Sequence, residues 1–386
     1  MFVGIANTPR DYAWGSTSAI SGLLGTPRSG GPEAELWLGA HPGSPSRIID
    51  PAQTGGATTL AQWIARSPEQ AGTDRLPFLL KILAAASPLS LQAHPTPEQA
   101  IEGFARENAA GIPLDASHRN YKDAFPKPEL IYALSETFEA LCGFRSAADL
   151  HVTIGRLIQL DAQSPTPQRG VLRRWLDQTG GDDSLGAVFE WLISRGEGVD
   201  DLVARVVELA RSVPGEFATV ELLADVYPGD PGIVISLMLH NVTLSRGEAL
   251  YLPAGNIHAY LDGLGVELMV ASDNVLRGGL TPKHIDVAEL IDVLDFRPAE
   301  VPYLRPVVSR GVELFSAPGF ALAHVSSGGS VTLDGPGIII CVSGSLSVRG
   351  GLSAATTSRG ESLYVTPDEV ELFFDGAGAA FVATGG

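Results

Sequence analysis

The hydrophobic residues of this chain repeat with two different periods. In C-terminal segments such as 320–325 and 337–349, apolar and polar residues largely alternate, which is typical of strands with one buried face. Between about 146 and 228 the apolar residues recur every three or four positions, which is typical of amphipathic helices. The pattern predicts a mainly β protein with a helical insert at 146–228.

A strand and a helix start are predicted in the N-terminal part of the chain. The continuous apolar run Leu76–Ala86 suits a buried strand. In the segment that follows, Ser90, Gln92 and His94 alternate with apolar residues, so a two-residue period places all three on one face of a strand. Thr96 is followed by Pro-Glu-Gln, which is the signature of a capped helix N-terminus.

A further strand is predicted at 127–134, where Lys127 and Glu129 share one face because they are two positions apart. After the helical insert, the β pattern is predicted to resume at Pro231 with another continuous apolar run. Polar residues on neighbouring strands can therefore converge on one site.

The octapeptide 246–253 reappears at 359–366 with five of its residues unchanged. Such a repeat indicates two copies of one β unit, the second in the Gly-rich C-terminal segment. The chain continues from the first copy to His258, whereas the stretch after the second copy reaches Glu371 without a histidine. Chemistry that needs histidine is therefore expected only in the first unit.

The charge balance narrows the classes of partner. The chain carries a net charge of -18, which disfavours binding to nucleic acid and to anionic membranes. The same field repels an anionic substrate, so a phosphate site would have to be locally basic. Since only 26 residues are Lys or Arg, each basic residue near a motif is informative.

The two cysteines, Cys142 and Cys341, form neither a CxxC motif nor a disulfide framework, which favours a reducing compartment. The N-terminal residues lack the basic and apolar regions of a signal peptide, and the chain has no run of 18 apolar residues. A cytoplasmic protein without a membrane span is expected.

Three segments bring together residues that can bind a metal ion. Gln92 and His94 share a strand face, Glu129 lies on another predicted strand, and His258 follows a tight turn. Two imidazoles with oxygen donors suit Zn²⁺ and also Mn²⁺ or Fe²⁺. By its position alone, His258 is as readily a structural histidine as a ligand.

The surrounding motifs settle that choice. The pattern Gly247-x5-Pro253-x-Gly255-x2-His258 fits the second motif of the cupin superfamily. Several segments together, in the same order, resemble type I mannose-6-phosphate isomerases: Tyr12-Ala-Trp-Gly15, Ala34-Glu-Leu-Trp-Leu-Gly39, Pro88-Leu-Ser-Leu-Gln-Ala-His-Pro95, Lys127-Pro-Glu-Leu130, Leu141-Cys-Gly-Phe-Arg145 and Ser272-Asp-Asn-x2-Arg-x-Gly-Leu-Thr-Pro-Lys283.

The resemblance implies a fold and an activity. The fold would be two cupin-type jelly-roll β-barrels and an α-helical domain: an N-terminal catalytic barrel at 1–145 completed by 229–300, the insert at 146–228, and a metal-free C-terminal barrel at 301–386. The activity would be the interconversion of mannose 6-phosphate and fructose 6-phosphate through an enediolate, in a monomer. One Zn²⁺ per chain would be bound by Gln92, His94, Glu129 and His258.

The family's other site residues also have counterparts here. Arg277 and Lys127 are expected to act on the reacting atoms, Arg277 as a second cation and Lys127 as proton shuttle or electrostatic partner. Asp273 and Glu267 are rival candidates for the base. The phosphate end of the substrate is expected to contact Ser90, Lys283 and Lys81.

One departure from the family pattern leaves alternatives open. The family usually has a histidine before the lysine of Lys127-Pro-Glu129, and here that residue is Pro126. A non-catalytic sugar-phosphate sensor would explain such a loss. A cupin Fe²⁺ dioxygenase shares the two-histidine, one-carboxylate set. The extra Gln92 and the basic residues argue against both alternatives.

Overall fold

The protein is described here by a computed structural model that covers residues 1–385. Within these residues the strands form two antiparallel sheets of ten strands each. In chain order the strands are β1 (Phe2–Ala6), β2 (Glu35–Leu38), β3 (Arg47–Ile48), β4 (Phe78–Ala85), β5 (Gln92–Ala93), β6 (Glu129–Ala133), β7 (Thr137–Phe144), β8 (Leu239–Ser245), β9 (Ala249–Leu252), β10 (His258–Val270), β11 (Leu276–Arg277), β12 (Tyr303–Leu304), β13 (Val307–Ser309), β14 (Val312–Ala317), β15 (Phe320–Ser326), β16 (Ser330–Thr332), β17 (Gly337–Arg349), β18 (Ala354–Ser358), β19 (Ser362–Val365) and β20 (Glu371–Thr384).

The N-terminal sheet contains β2 and β4 to β12, and β10 is its organising strand. Along its length β10 pairs with β4, β5, β6 and β7, so residues from four distant segments meet beside it. All eight residues of β4 are buried, as its continuous apolar sequence predicts. The C-terminal sheet contains β1, β3 and β13 to β20, with β17 and β20 paired along most of their lengths.

Most of the helices lie, along the chain, between strands β7 and β8 of the N-terminal sheet. Five of them lie in the segment predicted to be a helical insert, and their apolar faces form one buried cluster. Helix α4 begins with the predicted capping box between Thr96 and Gln99. The helices are α1 (Ala19–Leu24), α2 (Leu60–Arg66), α3 (Pro68–Ala71), α4 (Pro97–Ala109), α5 (Ala147–Gln163), α6 (Arg169–Gln178), α7 (Leu185–Ile193), α8 (Val199–Ser212), α9 (Ala218–Val226), α10 (Gly232–Ile235) and α11 (Val287–Val293).

The predicted domain limits need two corrections. Strands β1 and β3 were assigned to the N-terminal unit, but β1 pairs with β19 and β3 and therefore belongs to the C-terminal sheet. Conversely, β12 falls after residue 301 but pairs with β9 in the N-terminal sheet. Alternating burial along β1 identifies a strand, but it carries no information about which distant strand will be its partner.

The prediction that β structure resumes at Pro231 is wrong, because two short helical elements precede the next strand. Gly232–Ile235 is a helical turn and Ser236–Met238 a 3₁₀ turn, so the sheet resumes only with β8. A short, fully buried apolar run has no periodicity that separates a helix from a strand.

The sequence repeat occupies corresponding places in the two sheets. In each copy an Arg-Gly turn with the glycine at positive φ leads into a strand, with Gly247 (φ 93°) before β9 and Gly360 (φ 88°) before β19. A side chain at these positions would be strained, because positive φ is accessible mainly to glycine. The repeat therefore reflects a shared turn and strand.

The two sheets share one hydrophobic core. Tyr132 of β6 packs its ring against Phe315 and Phe381 of the C-terminal sheet, with ring centroids 5.5 and 4.9 Å apart. Buried residues of both sheets belong to the same apolar cluster. Across residues 1–385, no helix is both long enough and apolar enough to cross a bilayer.

Candidate active site

Two short strands and the start of β10 bring the first site residues side by side. Gln92 of β5 lies opposite His258 of β10 on one side and opposite Arg277 of β11 on the other. Side chains directly opposite each other in an antiparallel pair have Cβ atoms about 5 Å apart. Strand β5 has only two residues, shorter than the predicted segment from Ser90 to His94. It nevertheless places an amide, an imidazole and a guanidinium in one row.

His258, which belongs to that row, also forms a buried cluster with His94 and Glu129. Each of the three is about 1% exposed. His94 Nε2 lies 3.4 Å from Glu129 Oε1, and His258 Nε2 lies 3.3 Å from Glu129 Oε2. One potential ligand atom from each residue falls within 4.8 Å of the others. This separation leaves room for one ion among them.

The hydrogen bonds of the two rings fix which nitrogen faces the cluster. His94 Nδ1 donates to the carbonyl of Asn274 at 2.7 Å, and His258 Nδ1 donates to that of Asn256 at 3.1 Å. Because a carbonyl only accepts, each Nδ1 carries the hydrogen and each Nε2 of a neutral ring presents a lone pair. Burial, reinforced by the charge of Lys127, lowers the pKa of His94 to about 4, so this ring is neutral near pH 7.

These lone pairs test whether the cluster fits a metal. His94 Nε2, His258 Nε2 and Glu129 Oε2 are buried acceptors without a hydrogen-bond partner. Acceptors facing one another out of water are costly unless a cation lies between them. Histidine held through Nδ1 by a backbone carbonyl is the usual arrangement of a metal ligand. The donor set therefore fits Zn²⁺.

Lys127 supports the carboxylate of this cluster. Its ammonium donates to Glu129 Oε1 at 2.5 Å, and both residues are buried, as their shared strand face predicts. Burial alone would raise the pKa of Glu129, but the charge of Lys127 holds it well below its usual value. Glu129 is therefore ionised, as a metal ligand must be.

An open cleft of about 520 Å³ lies beside the cluster. All the polar residues predicted to meet the substrate line it, together with the amide of Gln92. A second cavity of about 680 Å³ continues outward from the cleft and shares Arg277 and Lys283 with it. The predicted residues lining the cleft are Ser90, Gln92, Lys81, Lys127, Arg277 and Lys283.

The outer part of the cleft is locally basic despite the acidic chain. Burial lowers the pKa of Arg277, and its Nε is buried without a hydrogen-bond partner. Burial, with Arg277 and Lys122 nearby, also lowers the pKa of Lys283. Like charges that face one another across a cavity favour the binding of an anion. This is the local basic site that an anionic substrate requires.

Lys81 is engaged differently from the prediction. Its ammonium lies 2.7 Å from Glu267 Oε2 and 3.4 Å from Glu35 Oε1, because β10 and β2 flank β4 and place both carboxylates opposite or beside it. Burial opposes its charge, but the two carboxylates outweigh burial and raise the pKa of Lys81. Its charge is already matched, so the predicted contact between Lys81 and phosphate has no support here.

The two candidate bases also differ in their surroundings. Glu267 is committed to the ion pair with Lys81, whereas Asp273 lines the cleft with its side chain 46% exposed. Burial alone would raise the pKa of Asp273, but the hydrogen bond from His41 Nε2, 3.1 Å away, holds it below its usual value. Asp273 is therefore an ionised carboxylate beside the cleft.

Three residues near the site were not assigned a role from the sequence. Asn274 lies in a segment that carries the family resemblance and His41 lies two residues after another, but nothing in the spacing indicates which atoms they contact. Lys122 lies in the outer cavity and follows no recognisable motif. Its proximity to Lys283 depends on the folding of a loop that has no regular secondary structure.

A mainly β fold with a buried pair of histidines, an ionised carboxylate and a basic cleft defines the class of metal-dependent enzymes that act on small anionic substrates. Comparison with known proteins narrows the class. Residues 2–147 match the family described as phosphomannose isomerase type I, catalytic domain. The mannose-6-phosphate isomerase of Escherichia coli strain K12 is 36% identical over 395 residues, covering 97% of each chain.

More distant relatives and solved structures agree. The Homo sapiens mannose-6-phosphate isomerase is 31% identical, covering 87% of this chain and 86% of its own. A crystal structure of a zinc-bound mannose 6-phosphate isomerase is similar over 100% of this chain and 99% of its own, with a TM-score of 0.86 and 35% identity. The chain therefore belongs to the type I phosphomannose isomerase family.

Proposed function

We propose that this enzyme interconverts mannose 6-phosphate and fructose 6-phosphate with one Zn²⁺ per chain. The observation that carries the proposal is the set of buried acceptors on His94, Glu129 and His258, which lack partners and face one another at the base of a basic cleft. The relatives that bear the name mannose-6-phosphate isomerase come from bacteria, plants and animals, and two of the similar structures contain zinc.

The proposed ligands are His94, Glu129, His258 and Gln92. The first three are brought together as described above, and Gln92 is opposite His258 in the sheet. A neutral amide as fourth ligand leaves the site more positive than a second carboxylate would. Bound there, Zn²⁺ would supply a Lewis acid that polarises the oxygens of the substrate at C1 and C2.

The reaction moves a proton between C1 and C2 through an enediolate, whose negative charge is the costly feature. Arg277 is proposed to stabilise this charge, because its guanidinium is always ionised and is partly removed from water in the cleft. Lys127 adds a second positive charge and, while bonded to Glu129, holds that carboxylate in place. Lys127 remains our candidate for the proton shuttle, with Asp273 as the carboxylate that can accept a proton.

The phosphate is proposed to lie toward the outer cavity, away from the buried cluster. Lys283 lines both the cleft and the outer cavity and has no carboxylate partner among the ion pairs of the described residues, and Ser90 lines the cleft. Phosphate oxygens would therefore find a hydroxyl donor and an uncompensated ammonium. Lys81 is not included, because Glu267 and Glu35 already neutralise it.

We further propose that each sheet is a cupin-type jelly-roll barrel and that only the N-terminal one binds metal. The C-terminal sheet carries one histidine, His324, whose Nδ1 pairs with Glu313. A cytoplasmic monomer is proposed, and the two free, buried cysteines fit a reducing compartment.

The decisive test is a coupled assay that follows fructose 6-phosphate formed from mannose 6-phosphate. Activity should disappear after dialysis against a chelator and return with one equivalent of Zn²⁺, and elemental analysis should find one metal ion per chain. Inactivity of the Zn²⁺-loaded protein would refute the proposal. Oxygen consumption by an Fe²⁺-loaded sample would point instead to a dioxygenase.

A further inference from the structure

Asn274 is fully buried, and its side-chain amide binds one loop through both its nitrogen and its oxygen. Its Nδ2 donates to the carbonyls of Asp123 and Phe125 at 2.8 and 2.9 Å. Its Oδ1 accepts from the backbone nitrogens of Lys122 and Asp123 at 2.7 and 3.2 Å. These four bonds use the full capacity of the amide and fix the irregular segment 122–127, called here the cation loop.

The backbone of the same residue holds a proposed metal ligand. The carbonyl of Asn274 accepts the hydrogen bond from His94 Nδ1 at 2.7 Å, and this bond points Nε2 into the cluster. The cation loop ends with Lys127, whose ammonium is bonded to Glu129. Asn274 is therefore connected to the ligand His94 through its carbonyl. Through its amide and the cation loop, it is also connected to Lys127, the partner of the ligand Glu129.

We infer that Asn274 is a positioning residue that couples the metal ligand His94 to the cation loop. The inference rests on the metal site of the proposed function and adds a residue that sets how tightly that site binds. The side chain of Asn274 touches neither histidine, so without the coupling a change confined to its amide would leave His94 in place. Under the coupling, damage to the amide displaces the carbonyl and loosens His94.

The test compares Zn²⁺ affinity, measured against a chromophoric chelator, in the wild type and in Asn274→Asp. This change keeps the size of the side chain but turns Nδ2 into an oxygen that faces two carbonyl oxygens without access to water. Loss of a group that orients a ligand typically weakens metal binding about 10- to 100-fold, and we expect that range here. The spectrum of the Co²⁺-loaded protein should change as well.

Asn256→Asp is the matched comparison. The carbonyl of Asn256 accepts from His258 Nδ1, so each substitution is made in a residue whose backbone carbonyl holds a proposed metal ligand. The side chain of Asn256, however, accepts only from Cys142 Sγ, at 3.5 Å, and does not hold the cation loop. Asn274→Asp should weaken Zn²⁺ binding about tenfold more than Asn256→Asp. Equal effects of the two changes, or unchanged affinity in Asn274→Asp, would overturn the inference.

A milder variant covers the case in which Asn274→Asp does not fold, as judged by loss of a cooperative thermal transition. Ser272→Ala removes hydroxyl bonds to Asp123 and Phe125 of the same loop, at 2.8 and 3.1 Å, and the bond that this hydroxyl accepts from the backbone nitrogen of Asn274 at 3.2 Å, while the Asn274 side chain is kept. Its Zn²⁺ affinity should fall by about threefold or more. Wild-type affinity in this variant would refute the coupling, whereas the isomerase assay on the wild type tests the proposed function separately.

Discussion

Arg277 occupies an unusual position for an arginine, because its Nε is buried without an acceptor while the cleft beside it is open. We expect Arg277→Ala to lower kcat and kcat/KM alike by about 10²- to 10³-fold, with little change in KM, because the charge it meets develops only in the enediolate. Steady-state kinetics of the Zn²⁺-loaded variant check this. A large rise in KM at unchanged kcat would make Arg277 a phosphate anchor instead.

Arg277→Lys is the control for that measurement. It keeps the positive charge but loses the planar set of donors, so it should recover only part of the lost rate. Full recovery would indicate that charge alone is needed at this position.

Lys81 is expected to matter for stability, since its ammonium is buried between Glu267 and Glu35. Lys81→Met leaves those carboxylates without their cation and should lower the free energy of unfolding by about 3–5 kcal/mol, measured by denaturant titration. In the double variant Lys81→Met, Glu267→Gln, part of this loss should be restored. If Lys81→Met instead has the free energy of unfolding of the wild type and a raised KM for mannose 6-phosphate, the predicted contact between Lys81 and phosphate would be supported.

At the scale of residues, the sequence predicts side-chain contacts well where the spacing along one strand determines them. Lys127 and Glu129 are two positions apart, and their side chains do meet. Lys81 shows the limit, because its partner Glu267 lies on β10, and strand register depends on contacts that the local sequence does not encode. The orientation of His94 likewise depends on a carbonyl 180 positions along the chain.

At the scale of elements, helix α1 is capped from a distance. Its N-cap residue Ser18 makes no side-chain cap, and Glu33 accepts instead from the backbone nitrogens of Ser21 and Ser29 at 2.9 and 2.8 Å. A carboxylate at a helix N-terminus also interacts favourably with the helix dipole. Burial opposes the charge of Glu33, but these bonds lower its pKa below the usual value of 4.5.

This capping predicts a dependence of stability on pH. A carboxyl group whose pKa is lower in the folded state stabilises the protein above its unfolded-state pKa, and the contribution is lost as pH falls through the folded value. Glu33→Gln should therefore lower the free energy of unfolding by about 1 kcal/mol at pH 7. The difference from the wild type should shrink below pH 4.5 in chemical denaturation series. An equal difference at all pH values would mean that the carboxylate charge contributes nothing.

Local signals explain which elements the sequence predicts. Helix α4 carries its own start signal, in which Thr96 and Gln99 form a complete capping box, and it begins where predicted. Helix α10 has no such signal, and its four buried apolar residues fit a strand equally well. The remote cap of α1 by Glu33 has no local sign at all, because eight residues separate the acid from the end of the helix.

At the scale of the molecule, the core shared by the two sheets predicts cooperative unfolding. Because buried residues of both sheets pack in one cluster, we expect a single thermal transition in calorimetry rather than separate transitions for two domains. Tyr132→Ala, which empties the contact between the sheets, should lower the free energy of unfolding by about 3–5 kcal/mol while the transition stays single.

Tyr303→Ala is the matched control, since Tyr303 is 44% exposed and should contribute about 0.5 kcal/mol or less. Two resolved transitions in the wild type would show that the sheets unfold independently despite their contact. The sequence repeat suggests two separate units, and the shared core is the feature that it does not reveal.

The placement of β1 in the C-terminal sheet has a consequence for the newly made chain. Phe2–Ala6 is synthesised long before its partner β19, which spans Ser362–Val365. At a synthesis rate of about 5–20 residues per second, the strand waits roughly 20–70 s before its partner exists. During this time its apolar face and unpaired backbone are open to chaperones and to other nascent chains, so the C-terminal sheet is completed only after β19 has been made.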